Sequence, residues 1–271
     1  MPAIPILMYH HVNVLKENAE KGSAFITVDV NTFKKQMSFL KNNGYTTLTT
    51  SDFLEIIKTG KMPSKPVMIT FDDGWLDNWV YAYPILKSLQ LKAVFFVITG
   101  HIGAAGLRKR MDEGFTDSLP THSQCKATLE TNSTEVMMSW DELLAMEQSG
   151  LIDVQSHTHT HNKWDAKSYK KSDMLNHLYN DITSSKAAIE ERLSKNCTAL
   201  CWPWGIYTKE YIKAAQKAGF NVLFTTEKGT STDTLRLKRI PIGNIGILNF
   251  KKKLFINSHS ALSSLYYKIL K

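Results

Sequence analysis

The chain has 271 residues, 43% of them hydrophobic and 21% charged, with a formal net charge of +8. These proportions exclude a disordered or fibrous chain, and the length is enough to bury a full apolar core in one or two domains. The longest apolar run, Ala93 to Ile98, is strand-sized and well short of the roughly 18 residues that a membrane span needs.

In chain order, Ile4–Tyr9 reads as a first strand, and Phe33, Met37 and Leu40 mark a helix ending near Asn43-Gly44. Tyr45–Leu48 and Val67–Phe71 are strand-like, the second running into an Asp-Asp-Gly turn. A helix over Asn78–Leu89 precedes Ala93–Ile98, whose fully apolar character fits a strand buried on both faces. Helix Trp140–Gln148, strand Leu151–Gln155 and a long helix through Leu175, Leu178, Ile182, Ile189 and Leu193 follow. Strands Ala199–Trp202 and Val222–Thr225 flank a helix at Tyr211–Ala218. This alternation predicts an α/β fold with a parallel sheet, open or closed, in a single domain. Gly103 to Val136 breaks the rhythm and reads as an inserted loop near the site. Residues 246–271 are expected to form a basic amphipathic helix on or beside a barrel spanning 1–245.

Cys125, Cys197 and Cys201 are sparse and odd in number, which fits free thiols better than a disulfide framework. The start of the chain shows no basic leader and no small-residue cleavage site. A cytoplasmic setting is the expectation. Five lysines and no acid lie between Ile247 and Lys271, beside Phe250, Leu254, Leu262, Leu265 and Ile269. That stretch is either a solvated basic tail or a peripheral contact with anionic membrane. No zinc-finger spacing or aromatic RNA-binding signature occurs, so no nucleic-acid partner is expected.

Catalytic groups of parallel α/β sheets gather at the carboxyl ends of the strands, and three polar clusters lie there. Asp72 and Asp73 close the strand ending at Phe71. Adjacent strand residues point oppositely, so both serve one site only if the turn at Gly74 bends the chain; otherwise Asp-Asp-Gly is a helix-capping turn. His157, His159 and His161 form the second cluster, with neutral imidazoles suited to zinc and similar ions. Over a helical turn His157 and His161 would project together and leave His159 aside; in an extended segment all three would share a face. Trp202-Pro203-Trp204-Gly205 is either aromatic core with a turn, or a stacking wall for a sugar with a backbone N–H aimed at a reacting carbonyl. Cys197 and Cys201 read as structural thiols. One carboxylate and two histidines would hold a metal with open positions, leaving the other carboxylate free as base.

These motifs, in this order, resemble the polysaccharide deacetylase family (family 4 carbohydrate esterases, the NodB homology domain) over roughly Ile4 to Ile240. The resemblance implies a distorted (β/α) barrel, usually of seven strands, and metal-dependent removal of acetyl from N-acetylated sugars. It implies Asp72 as general base, Asp73, His157 and His161 as ligands of a divalent ion (zinc, with cobalt, nickel or iron as alternatives), and the Trp204 backbone N–H as an oxyanion donor. Two departures stand out. The Arg that partners the base in many members is Cys201 here, and His259 lies in the wrong context for the late histidine motif. Leu7-Met8-Tyr9-His10-His11 instead resembles the early segment of poly-N-acetylglucosamine deacetylases, which implies His10 as general acid. The expected substrate is an N-acetylhexosamine of a cell-envelope glycan, such as a lipopolysaccharide core or other lipid-linked intermediate. The alternatives are a deformylase or de-N-acetylase of a small amidosugar, and a non-catalytic glycan-binding module.

Overall fold

The computed structural model describes residues 3–15, 26–104, 106–166 and 169–269. The chain opens with β1 (Ile6–Tyr9), then β2 (His11–Asn13), β3 (Thr27–Asp29) and α1 (Val30–Asn42). Next come β4 (Thr46–Thr47), α2 (Thr50–Thr59), β5 (Pro66–Phe71), α3 (Tyr83–Leu89) and β6 (Ala93–Val97). After α4 (His122–Leu129) and α5 (Trp140–Gln148) the order is β7 (Ile152–Ser156), α6 (Lys171–Leu193), β8 (Ala199–Cys201) and α7 (Lys209–Lys217). The chain finishes with β9 (Val222–Lys228), β10 (Leu237–Pro241), α8 (Ile247–Asn257) and α9 (Ser260–Ile269).

Closure follows from β1, which pairs in parallel with β5 on one side and β10 on the other. The ring β1-β10-β9-β8-β7-β6-β5 is therefore a closed parallel barrel of seven strands, with flanking helices, in one domain. Alternate strand residues fill it. Ile6, Met68, Val94, Phe96, Ala199, Cys201, Val222, Phe224 and Leu237 form one apolar cluster, joined by Phe53 and Ile56 of α2. The residues between them, such as Leu7, Ile69, Phe95, Val154 and Leu223, pack outward against the helices.

The barrel's seventh strand is not one that periodicity finds. Tyr45–Leu48 contributes only the two-residue β4, attached to one end of β5 outside the closed ring. The seventh member is β10, Leu-Lys-Arg-Ile-Pro, whose two adjacent cations break an apolar strand pattern although its central Arg239 is fully buried inside the barrel. The helix expected over Asn78–Leu89 opens as a wide π-helical turn, Asn78–Ala82, before α3. Pro84, which has no N–H for the preceding turn, sits at this junction.

The insertion between Gly103 and Val136 is ordered by a few polar anchors. Arg108 donates to the buried Glu142 carboxylate at 2.6 and 2.8 Å and to the carbonyls of Thr134 and Met137. The segment carries α4, capped by Thr121. The single C-terminal helix expected over 246–271 is corrected to two, α8 and α9. Ser258 Oγ and the His259 ring turn back onto the carbonyls of Leu254 and Phe255, where these side chains compete with continued helix. Phe250 and Leu254 bury α8 against the barrel.

Candidate active site

At the end of β5 the chain turns so that neighbouring carboxylates share one site. Asp73 adopts φ +76° and Gly74 φ +94°, both left-handed. A Cβ at Gly74 would also crowd Val97 and Ile102 at 3.1 to 3.2 Å, so glycine suits this position on two counts. The bend supplies what an extended strand cannot: both Asp72 and Asp73 are buried at the barrel mouth.

The histidine segment forms a bend, neither helical nor extended, with Thr158 and His161 in the left-handed region. Asp181 of α6 holds it by accepting the backbone N–H groups of His159 and Thr160 at 3.0 and 2.8 Å. The rings of His157 and His161 come to 4.9 Å, while His159 turns away to Thr99 Oγ1 at 2.9 Å. His157 Nδ1 lies 2.8 Å from the Cys201 carbonyl, which can only accept, so Nδ1 carries a proton. Against the effect of burial, the Cys201 and Asp73 partners raise the His157 pKa, so without a cation Nε2 is protonated as well and turns to Asp73. A bound cation would take the place of that Nε2 proton. That Nε2 is 3.5 Å from Asp73 Oδ1, and His161 Nε2 is 3.7 Å from the same oxygen.

Ligand atoms of Asp73, His157 and His161 all lie within 4.8 Å of one another. A buried carboxylate facing two imidazole nitrogens is a donor set that a divalent cation fits. Burial alone would raise the Asp73 carboxyl, but the hydrogen bond with His157 and the surrounding imidazoles hold it well below the usual range. His161 is pushed down to about 4 by burial and the neighbouring His157, which keeps its ring neutral and ligand-ready. A second cluster, Asp72, His157 and Cys201, has similar spacing. It does not fit a cation, because the Arg239 guanidinium occupies both Asp72 oxygens and approaches Cys201 Sγ at 3.0 Å.

Arg239 also answers the missing partner of the base. It reaches from β10 to Asp72 through two parallel bonds of 2.7 and 2.8 Å, with its Nε donating to the Thr225 carbonyl. Against the effect of burial, this charge and fork hold the Asp72 carboxyl below its ordinary value. His10 stands at the mouth, 23% exposed, with Nε2 at 3.7 Å from Asp72 Oδ2. Burial lowers its pKa, partly opposed by Asp72 and Asp73.

The aromatic cluster divides. Trp204 is 52% exposed, at φ +60°, with its ring 5.1 Å from His161 and under Lys163 Nζ at 4.1 Å. Trp202 is corrected: only 1% exposed, it packs beside Tyr211 in the core and offers no face to a sugar. Its backbone N–H donates to the Phe224 carbonyl at 3.0 Å and so continues the β8–β9 pairing, which turns the side chain outward to the helices. Pro203 is buried beneath the turn. Sequence reading also misses Trp75, whose indole N–H donates to Asp73 Oδ2 at 2.8 Å. The one available signal for Arg239 was the need of a buried carboxylate for a cation.

Residues 59–223 match the polysaccharide deacetylase family. The chain belongs to that family. It is 30% identical over 230 residues to YxkH of Bacillus subtilis strain 168, which bears the same family's name, covering 84% of this chain and 66% of the relative. It is 29% identical over 224 residues to the poly-beta-1,6-N-acetyl-D-glucosamine N-deacetylase of Staphylococcus epidermidis, covering 78% and 66%. The chain thus spans just under two thirds of the length of these relatives. Among solved structures, the Streptococcus pyogenes deacetylase PplD in complex with acetate superposes with a TM-score of 0.73 at 25% identity, over 94% of this chain and 99% of that one.

Proposed function

We propose that this member of the polysaccharide deacetylase family is a metal-dependent hydrolase that removes the N-acetyl group from an N-acetylhexosamine of a glycan. The convergence of Asp73, His157 and His161 beside the Arg239-paired Asp72 carries the reading. A divalent ion held by those three side chains, zinc first, with cobalt, nickel or iron also suited to the set, would supply Lewis acidity and lower the pKa of water. Asp72 is placed to take the proton from the attacking water at a carboxylate oxygen, its ionised form secured by Arg239. Against the effect of burial, Asp72 and Asp73 favour the charged form of His10, which would donate a proton from Nε2 to the departing amine. The backbone N–H of Trp204 serves the developing oxyanion. A non-catalytic glycan-binding module would have no use for an ionised base beside a ligand set.

The finer substrate reading is an envelope intermediate on an anionic, membrane-held carrier, met at the cytoplasmic face. Its support is the acid-free C-terminal stretch and the exposed Leu248, Phe255 and Ile269 beside its lysines. No helix among the described residues is long and apolar enough to cross a membrane. The test is acetate release by purified protein, with and without chelator, from extracted core oligosaccharide, poly-β-1,6-N-acetylglucosamine and free N-acetylhexosamine. Chelator-sensitive release from the core material is expected. Release from the soluble polymer alone refutes the envelope-intermediate reading; release of formate, or acetate from the free sugar only, gives the small-amidosugar alternative. No release from any of the three overturns the hydrolase.

A further inference from the structure

We infer that Trp75 is a positioning residue for the metal-ligating carboxylate of Asp73, clamped in place by an Asp77–His11–His122 hydrogen-bonded chain whose last member comes from the insertion. The inference rests on the metal reading above and assigns a role to four residues that reading leaves unused.

The two oxygens of Asp73 have separate tasks. Oδ1 faces His157 Nε2 and His161 Nε2, whereas Oδ2 accepts the indole N–H of Trp75 at 2.8 Å. With Oδ2 engaged, the carboxylate is turned to offer Oδ1 alone, and its rotation about the Cβ–Cγ bond is restrained. A hydrogen bond of this kind orients the ligand before any ion arrives.

The indole can do this only if its own rotamer is fixed. Trp75 is buried, and its ring stacks on His11 at 4.6 Å with 25° between the planes. His11 is fixed in turn. Its Nδ1 is 2.6 Å from Asp77 Oδ2, an acceptor only, so Nδ1 carries the proton; its Nε2 meets His122 Nδ1 at 3.0 Å. His122, the first residue of α4, also stands edge-on to Trp75 at 6.1 Å. Asp77 is held by Asn78, which donates to Asp77 Oδ1 and to the His10 carbonyl. The backbone of Trp75 itself bridges to Met137. The insertion thus closes one side of the clamp, and β2 the other.

The test uses W75F, which keeps an aromatic ring against His11 and removes the N–H. Zinc dissociation constants would be measured on the full chain by competition with a chromogenic chelator, beside circular dichroism and thermal unfolding of the metal-free protein. Expected is a dissociation constant raised about 10- to 100-fold with little change in the metal-free melting curve. H122A should raise it less, in the same direction, and the double variant should add little to W75F, since both act through one indole. H122A, at the surface end of the chain, reads the same clamp should W75F fold poorly. A W75F constant within twofold of wild type, or a lowered melting temperature with unchanged zinc affinity, overturns the clamp alone. Wild-type protein that binds no zinc at Asp73, His157 and His161 overturns the metal reading, and the clamp with it.

Discussion

Arg239 and Asp72 lie 167 residues apart in the chain, yet meet through two charge-assisted hydrogen bonds inside the barrel. The pair is buried on both sides, so its energetics differ from those of a surface ion pair. Removing one partner leaves the other as an uncompensated buried charge. R239M should therefore destabilise the protein by about 3–5 kcal/mol, read from urea unfolding.

R239K tests the pH consequence. The Asp72 carboxyl lies below its ordinary value in the folded protein. Its contribution to stability is thus present above the unfolded value and lost as pH falls through the folded one. The same shift sets the acid limb of kcat/KM below the usual carboxylate range. A lysine cannot reproduce the planar fork, so in R239K that limb should move to higher pH. An unmoved limb would separate Arg239 from the tuning of the base.

Base and ligand variants should divide cleanly. D72N is expected to keep metal, by elemental analysis, and to lose at least about 100-fold in rate. H10N should behave similarly. D73A and H157A should instead lose the metal. Chelation of wild type should abolish acetate release and leave the fold intact, since the barrel core does not depend on the site.

Trp204 contributes to the site by two different parts. Its backbone N–H survives truncation, but its exposed ring does not. W204A should raise KM by about tenfold, or about 1.4 kcal/mol of binding, with kcat little changed. A fall in kcat at unchanged KM would place the ring's role in the transition state.

Gly205 carries the turn beneath Trp204 at φ +70°, and a Cβ there would fall 1.9 Å from Thr226 Oγ1. G205A therefore combines backbone strain with a steric overlap. It should cost more than about 1 kcal/mol in thermal unfolding and reduce activity through displacement of the Trp204 N–H.

Local pattern in the chain was enough for the α/β class, the two aspartates at a strand end and the histidine cluster, because each is encoded by neighbours in sequence. Spacing left His159 open, since an extended segment would put all three imidazoles on one face. The family resemblance singled out His157 and His161, and a bend, not a helical turn, brings their rings to 4.9 Å. Arg239, Trp75 and the core burial of Trp202 were decided only in three dimensions. A strand's register and inward face are set by partners far away in the chain, and only closure of β1 on β10 brings a guanidinium over the carboxylate that needs it. Sequence spacing reports which side chains share a turn; which of them meet across the mouth of a barrel depends on how seven strands tilt and pair.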